Sequence, residues 1–230
     1  MLPEDACKVE QDNDFINTIM SIGCSIYEMM YLDDLQDRTL YLYGEILPYD
    51  FDDGHSNYMS RIGEMVRAIM GYNREDYGIP VEKRRPILLF INSPGGDLTE
   101  GYSLLSAIKI SKTPVYTINV GEWSSMSFLI GITGHKRFSF PGMTFLLHEG
   151  SSFAGGSSNK VQDRVKFEER FKTEEMRAHV LAHSKMSGID YDALARVEYY
   201  LLPKDALERG FIDKIIYDID ELIREIHKTP

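Results

Sequence analysis

Residues 87–132 repeat one rhythm, a short apolar run followed by a glycine turn and a helix-length stretch, and this restricts the chain to a layered α/β design. Ile87-Leu-Leu-Phe-Ile91 is apolar without alternation, the pattern of a strand buried on both faces. Ser93-Pro-Gly-Gly-Asp97 turns it into a helix over about 98–111. Val115-Tyr-Thr-Ile-Asn-Val120 is the next strand, Gly121 ends it, and Ser124 to Ile132 reads as helical. Phe138 and Met143 to Leu147 predict two more strands. Such alternation gives a largely parallel sheet covered by helices, with reactive groups at the carboxyl ends of its strands. A chain of 230 residues, 43% hydrophobic, has material for one sizeable core.

The flanks read less regularly. Clustered apolar residues from Phe15 to Met30 predict a helix over about 13–31. Arg38 to Ile46 alternates and is β-rich, a first strand followed by an acidic turn from Pro48 to Gly54. A helix over 56–71 carries Met59, Ile62, Met65, Val66 and Ile69 on one face, and 71–86 forms a polar loop. Beyond the core rhythm, Gly150 to Gly156 reads as an irregular or edge strand, and Ser157 to Met186 as a long charged helix. A helix polar on so many sides is a projecting arm or an oligomer contact. Short helices near 190–195 and 203–209, a strand from Phe211 to Ile216 and a helix near 218–227 complete the chain.

Charge and cysteine content exclude several classes. The net charge is −11, and residues 1–53 hold 13 of the 36 acidic side chains but only Lys8 and Arg38 of the 25 basic ones. An acidic leader therefore precedes a charge-balanced body, which argues against nucleic acid as a partner. Cys7 and Cys24 make no disulfide framework and no metal-type spacing, and favour a reducing compartment. With neither a signal-peptide pattern nor an 18-residue apolar run, the expectation is a cytoplasmic protein outside the membrane.

Three local patterns carry chemistry only in combination. Ser93-Pro-Gly-Gly96 alone is a turn, Ser124 or Ser125 alone a helix cap, and His148 alone an ordinary strand-end residue. Together they place a serine at a strand-to-helix turn beside free helix amides, with a glycine pair letting another backbone N–H approach the same spot. That is how an oxyanion hole is built. A histidine from a third strand then supplies the base that a serine nucleophile requires.

These residues resemble the proteolytic subunit of the ATP-dependent Clp protease. The resemblance runs from about Thr39 to Ile216 and is densest in Phe90 to Asp97, Gly101, Gly121 to Met126, Lys136-Arg137-Phe138, Pro141, His148 and Pro203 to Asp213. It implies the α/β fold shared with crotonases, repeated β-β-α units with a projecting handle strand and helix at about 150–186. The leader 1–36 and the C-terminal helix 218–230 flank a peptidase domain over 37–217. Carried across residue by residue, it makes Ser125 the nucleophile, His148 the general base and Glu198, twelve residues before Gly210, the third triad member where the family has aspartate. The implied oxyanion donors are the backbone amides of Gly96 and Met126. The implied substrate-pairing strand is Gly150, Ser151, Ser152, Phe153 and Ala154, and the implied docking cleft for an AAA+ unfoldase is Leu88, Phe90, Ile110, Val120, Phe138 and Phe140. The resemblance further implies two stacked heptameric rings acting on unfolded polypeptides, with neither cofactor nor metal.

The chain also departs from the family pattern. Trp123 stands where a small residue is usual, the 71–86 loop is enlarged, two residues are missing between Ser125 and Pro141, and Val197 replaces an arginine. Against an active peptidase stands a catalytically impaired, structural or regulatory subunit that assembles with an active paralogue. Retention of both Ser125 and His148 favours the peptidase. Hydratase chemistry on the crotonase-like fold does not need Ser125 and His148 together, and a signal-peptide peptidase wants a lysine base. His179 and His183, four apart on the long helix, read as a solvated face, since no third zinc ligand accompanies them.

Overall fold

The computed structural model describes residues 34–48, 60–150 and 155–228. The expected leader helix over 13–31 and the acidic turn at 49–54 lie outside them. The chain divides into two units, Met1–Thr39 and Leu40–Pro230. Of the first, only the helical turn at 34–36 and the residues leading into a strand are described.

The second unit is built on a seven-stranded sheet, with β1 (Thr39–Tyr43), β2 (Ile87–Ser93), β3 (Val115–Ser124), β4 (Lys136–Ser139), β5 (Thr144–Leu147), β6 (Tyr199–Leu201) and β7 (Lys214–Ile215). Its central path runs β1-β2-β3-β4-β7, with β5 on β3 and β6 on β5. β2, β3, β4, β5 and β7 are parallel to their partners, as the βαβ rhythm demands, and only β6 on β5 is antiparallel among the pairs with a described register. The helices are α1 (Arg61–Glu75), α2 (Leu98–Ile110), α3 (Met126–Ile132), α4 (Ser158–Phe171), α5 (Ala178–Ala182), α6 (Gly188–Leu194), α7 (Pro203–Glu208) and α8 (Ile219–His227).

The sheet forks along β3. Its first half, Tyr116 to Asn119, pairs with β4, and its last three residues, Glu122 to Ser124, pair with β5. Asn119 holds the fork, its Nδ2 donating to the Thr144 carbonyl at 3.0 Å and its Oδ1 accepting the Gly121 N–H at 3.1 Å. Gly121 is required at this point because a Cβ there would come within 2.0 Å of Asn92 Oδ1. The fork swings the end of β3 toward β5, and this brings Ser125 beside the strand that carries His148.

Several elements differ from expectation. α1 extends to Glu75, because Asn73 at its end bonds Ser111 Oγ and accepts the N–H groups of Lys112 and Thr113. The long helix runs as α4, a π-helical turn over Lys172–Arg177 and α5, ending at Ala182. The strand expected over 211–216 shrinks to Lys214–Ile215, since Phe211 leaves the sheet plane to pack edge-on against Phe128, with ring centres 4.9 Å apart. Among the described residues, no helix is long and apolar enough to cross a membrane.

Candidate active site

β3 delivers Ser125 in a strained turn. The residue lies between the last strand position, Ser124, and the first residue of α3, and its backbone sits at φ 56°, ψ −122°. For a residue with a Cβ such a conformation costs on the order of 1–3 kcal/mol and persists only where its surroundings impose it. Here the Ser125 N–H is held by the Leu146 carbonyl at 3.0 Å and its own carbonyl accepts from Phe128 N at 3.1 Å. Ser127 braces the turn from beneath, its Oγ donating to the Ser93 carbonyl at 2.6 Å and accepting the Ser124 N–H at 2.9 Å. Ser124 is not the helix cap suggested by sequence. It ends the strand, and its hydroxyl donates to Glu122 Oε2 at 2.9 Å.

The glycine pair closes on the same turn. Gly95, at φ 90°, approaches so tightly that a Cβ would lie 2.5 Å from the Ser124 carbonyl oxygen, 2.8 Å from Met126 N and 2.8 Å from Ser125 Cβ. Ile46 bridges the residues on either side of Gly96, its N–H donating to Gly95 O and its carbonyl accepting from Asp97 N, both at 2.8 Å. In such a bridge the N–H of the middle residue points to the opposite side, so Gly96 N–H faces away from Ile46. Met126 opens α3, where its N–H has no intrahelical acceptor, and its side chain is fully buried against Gly101.

Trp123, the bulky departure beside Ser125, points to the other face of β3. It is completely buried and stacks edge-on with Phe145, ring centres 5.5 Å apart, and Gly131 supplies the space, since a Cβ there would lie 2.4 Å from the indole ring. The large side chain therefore fills core and leaves the Ser125 turn open.

The remaining two candidates directly follow β5 and precede β6. Leu147 opposes Tyr199 in the last described cross-strand pair, and the residues next to that pair on either strand are His148 and Glu198. His148 Nε2 is buried without a hydrogen-bond partner among the described residues, and a buried acceptor or donor left in that state is costly. Glu198 is exposed, and its Oε2 accepts the Tyr200 hydroxyl at 2.7 Å. This bond, together with the charge of Glu198 itself, raises the Tyr200 pKa above the ordinary tyrosine value. Sequence reasoning missed Tyr200 and Glu122, although both carried a signal. In an extended chain, positions two apart share a face, so Tyr200 accompanies Glu198 and Glu122 accompanies Ser124.

The other sequence candidates distribute as follows. Leu88, Phe90, Val120 and Phe140 pack, partly exposed, around Phe138, Tyr116, Ile118, Ile216 and Leu222 as one apolar cluster, and Tyr41 stacks on Phe90 with ring centres 5.4 Å apart. Ile110 is not among them; it ends α2 and is 77% exposed. Gly150 is described, whereas Ser151, Ser152, Phe153 and Ala154 lie outside the described residues. His179 and His183 do not form a solvated face. His179 is buried, its Nε2 within reach of the Thr133 hydroxyl at 3.1 Å and the Leu129 carbonyl at 3.2 Å, and its ring lies 4.2 Å from that of His183. The π-helical turn carries this end of the helix onto α3, where position 179 faces the core. Among the described residues, no cluster of three or more His, Cys, Asp and Glu is arranged to hold a metal ion.

The sequence model of the Clp protease family matches residues 80–218, the span that contains the forked sheet, the Ser125 turn and the β5–β6 pair. The chain belongs to the Clp protease family. Two relatives are both ATP-dependent Clp protease proteolytic subunits. That of Lactococcus lactis subsp. cremoris is 25% identical over 185 residues, 79% of this chain and 84% of the relative. That of Streptococcus gordonii is 27% identical over 138 residues, 59% of this chain and 70% of the relative. Membership makes this a peptidase fold, with the mixed α/β architecture of a Clp protease.

Proposed function

We propose that this chain is a serine endopeptidase subunit in which Ser125, His148 and Glu198 act as the triad. The observation that carries the reading is the backbone of Ser125, a non-glycine residue held at φ 56° at a strand-to-helix turn. This is the strained elbow that lifts a nucleophilic oxygen clear of its sheet. His148 Nε2 takes the Ser125 proton as Oγ attacks the scissile carbonyl. The tetrahedral oxyanion is held by the N–H groups of Gly96 and Met126, which need no side chain and no reorganisation. His148 then returns the proton to the leaving amine, and water repeats the cycle on the acyl-enzyme. Glu198 holds the imidazole tautomer and balances the imidazolium. The buried His148 Nε2, without a hydrogen-bond partner among the described residues, supports the general-base role, because no other bond competes for that nitrogen.

The assembly follows from the same reading. No residue of α4 is buried, and Val165 and Phe167 on it are 41% and 55% exposed, which supports a handle that is covered by another subunit. Gly150 and residues 151–154 pair with extended substrate by strand addition. The Leu88, Phe90, Val120, Phe138 and Phe140 surface, joined by Ile110 across a subunit boundary, receives an AAA+ unfoldase that feeds unfolded polypeptide to two stacked heptameric rings in the cytoplasm. In this layout 1–36 is a leader, 37–217 the peptidase domain and 218–230 a terminal helix. A fluorophosphonate probe tests the catalytic reading. Labelling of Ser125 that disappears in Ser125→Ala and persists in Ser124→Ala is the expected result; labelling at Ser124, or at neither serine, overturns it.

A further inference from the structure

Resting on the triad reading above, we infer that Tyr200 is a positioning residue for the third acid: its hydroxyl fixes one oxygen of Glu198 so that the other is presented to His148.

Glutamate reaches one methylene further than aspartate and has one more rotatable bond, so an exposed Glu198 orients an imidazole only if something removes that freedom. The structure supplies such a restraint in the 2.7 Å bond from Tyr200 Oη to Glu198 Oε2. It is a local restraint, since the two residues lie two apart and share one face of the β6 edge. It is also charge-assisted, the stronger class of hydrogen bond. The register extends the pattern across the sheet. Tyr200 opposes Leu146, Leu146 opposes Ser124, and Ser124 shares a strand face with Glu122. Tyr200 thus stands in the row of the sheet that ends at Ser124, and His148 and Glu198 follow two positions further on, beyond the Leu147–Tyr199 pair.

The geometry leaves the carboxylate usable. A carboxylate has two oxygens and about four acceptor sites, and the phenol occupies one of them at Oε2. Oε1 remains for the Nδ1–H of His148, the tautomer in which Nε2 accepts from Ser125. Glu122, the second carboxylate of this face, accepts the Ser124 hydroxyl, while the Tyr200 hydroxyl goes to Glu198. The longer acid and the phenol therefore form one unit, and neither substitution is understood alone.

The test is a double-mutant cycle in the full-length assembled protein, read by fluorophosphonate labelling rate and by kcat and KM for a short fluorogenic peptide. Tyr200 is 64% exposed, so Tyr200→Phe removes the hydroxyl without disturbing the core. Tyr200→Phe is expected to lower kcat by about tenfold, the scale of one hydrogen bond to a charged group, with KM unchanged. In the Glu198→Ala background the same substitution is expected to change kcat by less than about twofold, because the hydroxyl then has nothing to position. A tenfold loss that persists without Glu198 overturns the inference and leaves the triad standing, as does a Tyr200→Phe enzyme with wild-type kcat beside a slow Glu198→Ala. If Glu198→Ala itself labels and turns over normally, the triad reading fails at its third member and the inference fails with it.

Discussion

Ser125 donates its backbone N–H to the carbonyl of Leu146 at 3.0 Å, two residues before His148 on β5. One main-chain hydrogen bond therefore fixes the strand that delivers Ser125 against the strand that leads into His148. The relation does not depend on either side chain, so catalytic substitutions at these positions leave the scaffold in place.

The strain at Ser125 gives the first prediction. Alanine keeps a Cβ in the left-handed region and retains the strain, whereas glycine releases it. Ser125→Ala and Ser125→Gly are both expected to lose peptide hydrolysis. Ser125→Gly is expected to be the more stable by about 1 kcal/mol in urea unfolding, and equal stabilities count against an imposed conformation.

Gly95, in the turn after β2, tests the proposed oxyanion geometry. Its missing Cβ leaves room for the Ser124 carbonyl and Met126 N, so Gly95→Ala must push the Met126 N–H out of place. Loss of one such donor costs about 10²–10³ in kcat. Gly95→Ala is expected to fall in that range, with the molecular mass read by light scattering the same as that of the unchanged protein.

Trp123 and Gly131 form a matched pair. Gly131→Ala is expected to destabilise the chain by about 1–3 kcal/mol through overpacking against the indole. Trp123→Ala is expected to cost about 3–5 kcal/mol, but Gly131→Ala added to Trp123→Ala should cost nothing further or recover part of the loss. Additive effects in thermal or urea unfolding would show that the two do not share the space.

His179 makes stability depend on pH. Burial first, and then the neighbouring His183, lower its pKa to about 4 from the ordinary value of 6.5, and burial lowers that of His183 as well. The unfolded chain thus binds protons that the folded chain refuses, so stability is full above about pH 6.5 and falls as pH drops toward 4. Melting curves between pH 8 and pH 4.5 should show this decline, with a shallower slope for His179→Gln than for the unchanged protein.

How much of this was legible in the sequence depends on how local its cause is. The run from Ile87 to Ile132 is governed by continuous apolar strands and glycine turns, and it folds as its pattern indicates except that β3 does not end at Gly121 but continues to Ser124, where it pairs with β5. The length of α1 was not legible, because Asn73 finds Ser111, Lys112 and Thr113 some 40 positions away. Nor was the burial of His179, which depends on a π-helical turn and on Thr133, the residue that follows α3. Glu198 lies twelve residues before Gly210, but the side-chain bond from Tyr200, two residues on, is not specified by any sequence pattern. Here the ring is exposed and the hydroxyl carries the interaction.

Glu198 is the most exacting test of the catalytic reading. Glutamine keeps the size and hydrogen-bonding capacity of the side chain but removes its charge, and its amide can present N–H where His148 needs an acceptor. If Glu198 sets the tautomer of His148, Glu198→Gln is expected to keep the fold and lose turnover by a large factor, up to about 10⁴, the loss known for the equivalent change in a serine-protease triad. Glu198→Asp retains the charge but draws the carboxylate back from the Tyr200 hydroxyl, so its loss should be smaller. Near-normal kcat for the glutamine variant, with Ser125 still labelled by the probe, would reduce the machinery to a Ser125–His148 dyad and leave the exposed acid as a surface residue.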